Sequence, residues 1–304
     1  MKTPHINNIY QFNRIPLFLF LFLCLSSLAQ TSEEEFEGIK VVSANIRVAL
    51  NADVKKGRGW DVRKELVFDV IKDQDPDIIC LQEVMEVQNE NFKKMFSKFF
   101  SFGFEGPEMD AFTDGRYHLI AKNPILFNTQ KFDFISGGTY WLSETPHLGG
   151  SMSWETARAR HVNWVRLKDK NSGKIFRVLN THFDHVSELA KQKAAEMIVE
   201  ESNLYPENFP QILAGDFNSD VTSSPIKTLI TRWVDTYSVL NNNLDPGFTT
   251  HGFIGPLAKT KKGKVDFILY RGPIKATDAT VIKDNKEGVY PSDHFFVSAE
   301  LQLQ

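Results

Sequence analysis

Cysteine is scarce in this chain of 304 residues: only Cys24 and Cys80 are present. Neither belongs to a cluster, so no cysteine-ligated zinc site can organise the protein. Several catalytic signatures are also missing. There is no H-E-x-x-H, no G-x-S-x-G and no G-x-x-x-x-G-K-[ST], which removes a zinc protease, a lipase-type serine nucleophile and a P-loop. A charge excess is lacking too, with 35 basic side chains against 38 acidic ones and a formal net charge of −3. Such a balance disfavours a bulk polyanion binder, while leaving room for a local basic rim that steers a phosphate.

One long apolar run stands out, Ile15–Leu25, preceded by Lys2 and Arg14 and followed by Ser27-Leu28-Ala29. It is short for a membrane-spanning helix, and small residues stand at both positions a signal peptidase reads. Residues 1–29 are therefore expected to be a cleaved secretory signal, and the protein to be exported to a periplasmic or extracellular location. Lipid anchoring through Cys24 is the less favoured alternative, because Phe22-Leu23 is bulky for that processing. Cleavage removes two positive charges and takes the net charge to −5. It leaves Cys80 as the lone cysteine, so no internal disulfide is expected; in the apolar run Ile78–Leu81 it reads as a buried, inert thiol. Residues 30–37 read as a disordered lead-in, and residues 38–304 as a single domain.

What is present is a strand-rich core. Hydrophobic residues make up 42% and aromatics 12%, with 25 Phe, enough to bury a large interior. Apolar runs predict strands at Ile39–Asn45, Ile78–Leu81, His118–Ala121, Pro124–Asn128, Thr139–Leu142, Val162–Leu167, Ile175–Thr181, Ile212–Ala214, Lys264–Tyr270, Lys275–Ile282 and Phe295–Leu301. Helical spacing predicts helices over Asp61–Lys72, Glu90–Phe99, Ser187–Ser202 and near Ile226–Ile230. Asn51–Gly59 reads as a loop. The mixture implies an α+β or layered α/β domain with two packed sheets.

Six of the apolar runs begin or end in chemistry-bearing residues: Asn45, Glu83, the Asn180–His185 group, Asp216 with Asn218, Asp266, and Asp293-His294. Oxygen donors dominate this set, which favours a hard cation such as Mg²⁺ or Mn²⁺ over zinc. Histidines beside carboxylates suit proton transfer and stabilisation of an anionic transition state. Metal-assisted hydrolysis of a phosphoester uses all of these parts.

The ordered pieces S-A-N-I-R (Ser43–Arg47), L-Q-E-V (Leu81–Val84), N-T-H-F-D-H (Asn180–His185), G-D-F-N-S (Gly215–Ser219), V-D-F-I-L (Val265–Leu269) and S-D-H-F (Ser292–Phe295) resemble the endonuclease/exonuclease/phosphatase superfamily, the DNase I-like enzymes. The resemblance implies a four-layered α/β sandwich, two mostly antiparallel sheets face to face with helices outside. It also implies a metal site at Glu83 with Asn45 and Asp293, and a water-activating Asp216. Asn218 and Asn180 would sit at the phosphate, and His182 at the scissile phosphate. His294 would be base or transition-state stabiliser, oriented by Asp266. G-T-Y-W-L-S-E-T-P (Gly138–Pro146), S-W-E-T-A-R-A-R (Ser153–Arg160), W-D-V-R (Trp60–Arg63) and T-T-H-G-F (Thr249–Phe253) resemble a narrower secreted bacterial branch with deadenylase-like motifs. There Arg160 and Arg63 would approach the phosphate, although Arg63 can equally pack against the first helix, and Tyr140 and Trp141 can simply fill the core. Two departures from the pattern are the Asp114–His118 stretch, where Arg116 or Tyr117 is the weak candidate, and Lys191 in place of an arginine. His185 and Asp184 read as residues that support the site or start the following helix.

These expectations rank a phosphodiesterase first, nucleases included, and a phosphomonoesterase for sugar, inositol or lipid head-group phosphates second. A non-catalytic binding module comes last, because it has no need of Glu83, Asp216, Asp266 and His294 together. The expected partner is a phosphoester substrate, nucleic acid or small diester, met by a monomer. Lys259–Lys264 is either a positive lip on the site or a solvated loop.

Overall fold

The computed structural model describes Met1 and residues 38–106, 109, 120–244 and 246–304. The expected signal at 1–29, the lead-in at 30–37, and the candidates Arg116 and Tyr117 lie outside the described residues.

In chain order the elements are β1 (Ile39–Asn45), α1 (Asn51–Val54), α2 (Trp60–Lys72), β2 (Ile78–Gln82), α3 (Glu86–Met95), β3 (Phe99–Phe102), β4 (Ile125–Asn128), β5 (Phe132–Trp141) and β6 (His161–Asp169). There follow β7 (Ile175–His182), α4 (Glu188–Ser202), β8 (Gln211–Asp216), α5 (Ser224–Leu229), β9 (Val234–Asp235), α6 (Thr236–Leu240), β10 (Asp266–Arg271), β11 (Ile274–Ile282) and β12 (Phe296–Leu303). They form two six-stranded sheets, ordered β11-β12-β1-β2-β4-β3 and β5-β6-β7-β8-β10-β9. Pairing is antiparallel except for β1 with β2 and β7 with β8.

The alternation of strand residues assigns the layers. Val41, Ile78, Cys80 and Ile125 of the first sheet pack against Val165, Val178, Ile212 and Ile268 of the second. Their neighbours turn outward: Val42, Ala44, Ile79 and Leu81 cover α2 and α3 through Val67, Phe68, Ile71 and Phe92. On the other side Val162, Leu179, Leu213 and Phe267 meet α4 and α5 through Ala194, Ile198, Ile226 and Leu229. Helix, sheet, sheet, helix is the order, so central strands are apolar on both faces and read as continuous runs. Cys80 lies in the middle layer, fully buried, with its thiol held well above the ordinary range by desolvation.

Local chemistry explains where the sequence expectation slipped. Helix α3 starts at Glu86 rather than Glu90, because the Gln88 side chain accepts the Met85 N–H at 3.0 Å and caps the first turn. It therefore ends before Phe99, and Phe99–Phe102 is a strand. Asn51–Gly59 contains the single turn α1. Within the described part of the His118–Ala121 stretch there is no strand; the neighbouring Lys122 makes only an isolated bridge to Val84. Strand β5 begins seven residues before Thr139, since its irregularity between Phe134 and Ser136 and its Gly137-Gly138 break the alternation. Ser187 caps α4 as expected, accepting the Ala190 N–H at 3.1 Å.

Candidate active site

Strand direction gathers the candidates at one edge of the sandwich. Asn45 ends β1 and pairs in register with Gln82 on parallel β2, so Glu83 emerges beside it. His182 ends β7 opposite Asp216 at the end of parallel β8. Strand β10 runs antiparallel to β8, and its first residue Asp266 is opposite Asp216. Strand β12 runs antiparallel to β1, so His294, two residues before it, falls at the same edge. Gly215 lets β7 and β8 close: a Cβ there would lie 2.2 Å from the Thr181 carbonyl oxygen.

Asp216 is the hub. Its Oδ2 accepts from Asn45 Nδ2 at 3.0 Å and lies 3.3 Å from His182 Nε2 and 3.8 Å from His294 Nε2. Its Oδ1 accepts the Asn218 N–H at 2.9 Å. His294 turns its other nitrogen, Nδ1, to Asp266 Oδ2 at 2.9 Å, the arrangement in which a carboxylate orients an imidazole. His182 Nε2 also lies 3.0 Å from Asn218 Nδ2, whose amide is held by the Phe183 carbonyl at 3.2 Å. Glu83 takes the Val48 N–H at 3.0 Å and Asn45 Nδ2 at 3.3 Å. Three site residues have left-handed backbone without being glycine: Arg47 (φ 58°), Glu83 (φ 62°) and Asn218 (φ 47°). Such conformations are held by their surroundings, and these three stand at the cleft, while others lie in turns elsewhere, as at Asp75 and Asn242.

The charges follow from burial and neighbours. Burial, then the Asp266 charge, pushes Asp216 up from 3.8 to about 6. Burial lowers His294, but Asp266 and Asp216 together outweigh it and hold the imidazolium well above its ordinary value. His182 is driven far down, first by burial and then by the charges of Arg160 and His294, and stays neutral. The edge thus presents a neutral imidazole and a cationic one around a carboxylate.

A divalent cation fits this donor set. Among the described residues, Asp216, Asp266 and His294 place one ligand atom each within 4.8 Å of one another, and His294 would join an ion only after giving up the proton that the two carboxylates hold on it. Asp266 Oδ1 is buried without a hydrogen-bond partner, and Glu83 adds a nearby carboxylate. Carboxylate oxygens crowded in this way suit a hard ion.

The structure redistributes some expected roles. Asn45 bridges Glu83 and Asp216 as a donor, and its Oδ1 is taken by the Arg47 N–H at 3.0 Å. Asp293 lies on the flank, its Oδ2 3.2 Å from Arg47 Nη1. Asn180 does not reach the cleft. It is fully buried, receives Gln82 Nε2 at 2.8 Å and donates to the carbonyls of Leu81, Asn123 and Pro124, pinning the two sheets together. Arg63 is spent likewise: its guanidinium caps the carbonyls of Ile46, Arg47 and Pro291, and its pKa falls to about 10, with burial the largest cause. Arg160 is buried, with Nη2 3.3 Å from His185 Nδ1 and Nε 4.0 Å from Asp184 Oδ1. Asp184 binds the N–H groups of Ala157, Val186 and Ser187, tying the Ser153–Arg160 loop to the start of α4. Lys191 reaches the Asn218 carbonyl at 3.4 Å and supports that turn from below. Trp141 is fully buried in a small cluster with Met109, Ile120 and Ala159.

Two supports escaped the sequence reading. Arg47 ion-pairs with Asp53 at 2.9 Å as well as with Asp293, joining α1 to the loop that carries His294. Thr249 Oγ1 accepts the N–H groups of Val265 and Asp266, and its carbonyl takes the Phe295 N–H, so it holds both members of the Asp266–His294 pair. Both residues stood inside quoted motifs; apart from Asp53, six positions from Arg47, their partners are too distant in sequence to be inferred.

The model of the Endonuclease/Exonuclease/phosphatase family matches residues 42–294, the span that contains every residue of this edge. The chain belongs to that family. A family protein of known structure from Bacteroides vulgatus is 27% identical, with TM-score 0.76 over 88% of this chain and 99% of that one. A mannosyl-6-phosphatase from Bacteroides thetaiotaomicron is also 27% identical, with TM-score 0.74 over 87% of this chain and 99% of the other. An uncharacterised protein of Acanthamoeba polyphaga mimivirus is 26% identical over 189 residues, covering 60% of this chain and 68% of its own. The two packed sheets with helices outside are thus those of an enzyme family, and the clustered acids and histidines are its candidate metal-binding edge.

Proposed function

We propose that this protein is a divalent-metal-dependent phosphoesterase in which water attacks phosphorus in line with the departing alkoxide. The observation that carries the reading is Asp216, a carboxylate set among Asn45, His182 and His294 at the strand ends. Above its raised pKa it is ionised and can align a water and accept its proton. His294, kept cationic by Asp266, faces the phosphoryl oxygens through Nε2. Neutral His182 and the Asn218 amide supply further polar contacts, and Arg160 adds a fixed positive charge. Glu83, Asp216 and Asp266 would hold Mg²⁺ or Mn²⁺, with Asn45 keeping two of these carboxylates in place and Asp293 flanking them. When bound, that ion would neutralise charge on the transferring phosphoryl group and its leaving oxygen.

Between ester classes, the likeness to a mannosyl-6-phosphatase favours a sugar phosphomonoester, whereas the motifs alone favour a diester. The narrower deadenylase-like branch finds support only at the level of the family. Hydrolysis of mannose 6-phosphate, p-nitrophenyl phosphate and bis-p-nitrophenyl phosphate with Mg²⁺ or Mn²⁺ separates the classes. The expected result is EDTA-sensitive turnover, lost in His294→Ala. No hydrolysis of any phosphoester, or near-normal rates in His294→Ala, would overturn the assignment and bring forward the binding module.

A further inference from the structure

One buried histidine takes no part in the proposed chemistry. His251 lies in the connection between α6 and β10 and is only 3% exposed. That connection runs beside the loop that carries His294 and is bonded to it through the backbone. The His251 N–H at 2.8 Å and the Gly252 N–H at 3.1 Å both donate to the Asp293 carbonyl, and the Thr249 carbonyl accepts the Phe295 N–H at 2.8 Å. Thr250 thereby stands opposite His294 in an antiparallel bridge. Strand β12 begins only at Phe296, and the His294 N–H reaches Ser292 Oγ at a long 3.4 Å. The backbone of His294 is therefore held chiefly by this neighbouring segment.

The His251 side chain completes the clamp. Its ring stacks on Phe295 with centroids 4.1 Å apart and planes at 30°, and it meets Tyr290 edge to face at 4.9 Å. Tyr290 and Phe295 flank His294 in the chain, so one ring grips both ends of the segment that delivers it. Nδ1 accepts the Gly255 N–H at 3.1 Å, which puts the ring proton on Nε2 and fixes the plane of the ring. Burial favours the same neutral form, taking the pKa down to about 4. The chain is bent to make this bond. Gly252 and Phe253 are left-handed, with φ of 61° and 68°, and the Ile254 N–H returns to the His251 carbonyl at 3.0 Å. A left-handed phenylalanine is strained, and a Cβ at Gly255 would collide with the Tyr290 hydroxyl. Histidine suits the place because it joins a flat face for Phe295 to an in-plane acceptor for Gly255.

We propose that His251 is a positioning residue, which through its stack on Phe295 holds the His294 imidazole where Nδ1 meets Asp266 at 2.9 Å and Nε2 lies 3.8 Å from Asp216. The role rests on the phosphoesterase reading and adds to it what keeps His294 in place. Stabilising charge in a transition state depends on sub-ångström placement of the group that does it. A loosened His294 should therefore cost turnover and leave substrate binding nearly unchanged.

A double-mutant cycle tests this. His251→Asn keeps an acceptor for Gly255 and removes the stack, while Phe295→Leu removes the stack from the other side. Rates are measured on p-nitrophenyl phosphate and bis-p-nitrophenyl phosphate with Mg²⁺, at a temperature where circular dichroism shows each variant folded. Each single variant is expected to lose about tenfold in kcat with KM within about twofold, and the double variant to lose about as much as one single, because both remove the same contact. Unchanged kcat in folded His251→Asn, a loss confined to KM, or losses that multiply in the double variant would overturn the role. The crystal structure of His251→Asn gives a readout independent of turnover: the 2.9 Å separation of His294 Nδ1 from Asp266 Oδ2 should open beyond about 3.5 Å. A separation that stays at 2.9 Å overturns the positioning whatever the rates. If His251→Asn does not fold, Phe295→Leu carries the same two readouts. Absence of all turnover by the wild type would instead sink the phosphoesterase reading, and the crystal structure alone would then decide the positioning.

Discussion

Two buried polar groups sit two residues apart along β7, and they behave oppositely. Asn180, opposite Ala214, has its amide engaged by Gln82 and three backbone carbonyls. At His182, opposite Asp216, two imidazoles and two carboxylates crowd together and one oxygen of Asp266 is left without a partner. A satisfied network rigidifies; a crowded, partly satisfied one stores electrostatic tension that an ion or a substrate can relieve. The change from the first kind to the second within a few ångströms marks where the sandwich ends and the chemistry begins.

The largest effects should come from the crowded side. Asp216→Asn keeps the shape and one of the two hydrogen bonds that Asp216 accepts, from Asn45 Nδ2 or from the Asn218 N–H, but removes the charge, so kcat is expected to fall about a thousandfold. Circular dichroism and the melting transition should stay close to the wild type. A variant that loses activity only because it unfolds would erase the distinction between the two regions. On the satisfied side the opposite split is expected. Asn180→Ala removes four buried hydrogen bonds, while Gln82 keeps Ser43 and Cys80 and the Asn123 and Pro124 carbonyls keep Asn163 and the Leu81 N–H, and should cost about 1–2 kcal/mol of stability in denaturant melts. The fraction that remains folded should turn over normally; a large loss of kcat in folded Asn180→Ala would return Asn180 to the phosphate.

That contrast also explains what could be read from the chain. The layered fold was legible because central strands buried on both faces leave uninterrupted apolar runs, such as Ile78–Leu81 and Ile212–Ala214. The residues of the hub were legible because each stands where such a run stops. What the sequence could not distinguish was a polar residue at the rim from one a residue or two inside it. Asn180 lies in the same N-T-H-F-D-H piece as His182 but two residues deeper along β7, where Gln82 and the Leu81 carbonyl of the other sheet engage it, and Arg63 is turned into carbonyls by the folding of Ser43–Arg47 around it. Side-chain partners such as Arg47 with Asp293 depend on loops meeting across 246 positions, which no local pattern encodes.

A smaller effect tests whether the crowding is relieved by a cation. Because Asp216 is raised from 3.8 to about 6, the metal-free fold binds its proton more tightly than the unfolded chain does. Its contribution to stability is complete below the unfolded value and is lost as pH rises through about 6. Mg²⁺ competes with that proton. At saturating Mg²⁺ the melting temperature should therefore rise by about 5 °C at pH 8 and by much less at pH 5, relative to EDTA-treated protein. An increment that is equal at both pH values would detach the ion from Asp216.

The smallest effect is expected at Arg63, and it is informative because the sequence allowed two roles. Its guanidinium caps the Ile46, Arg47 and Pro291 carbonyls, joining the loop after β1 to the loop before His294. Lysine keeps the charge but cannot supply a planar fork to three acceptors, so Arg63→Lys should lose about 1–2 kcal/mol of stability. If the residue touched substrate, KM for a phosphoester would rise in proportion to the lost contact. If it only braces the loops, KM should hold while kcat drifts down slightly, since His294 is then less firmly placed against Asp216. The division between KM and kcat in that one variant decides whether Arg63 belongs with Asn180 or with the hub.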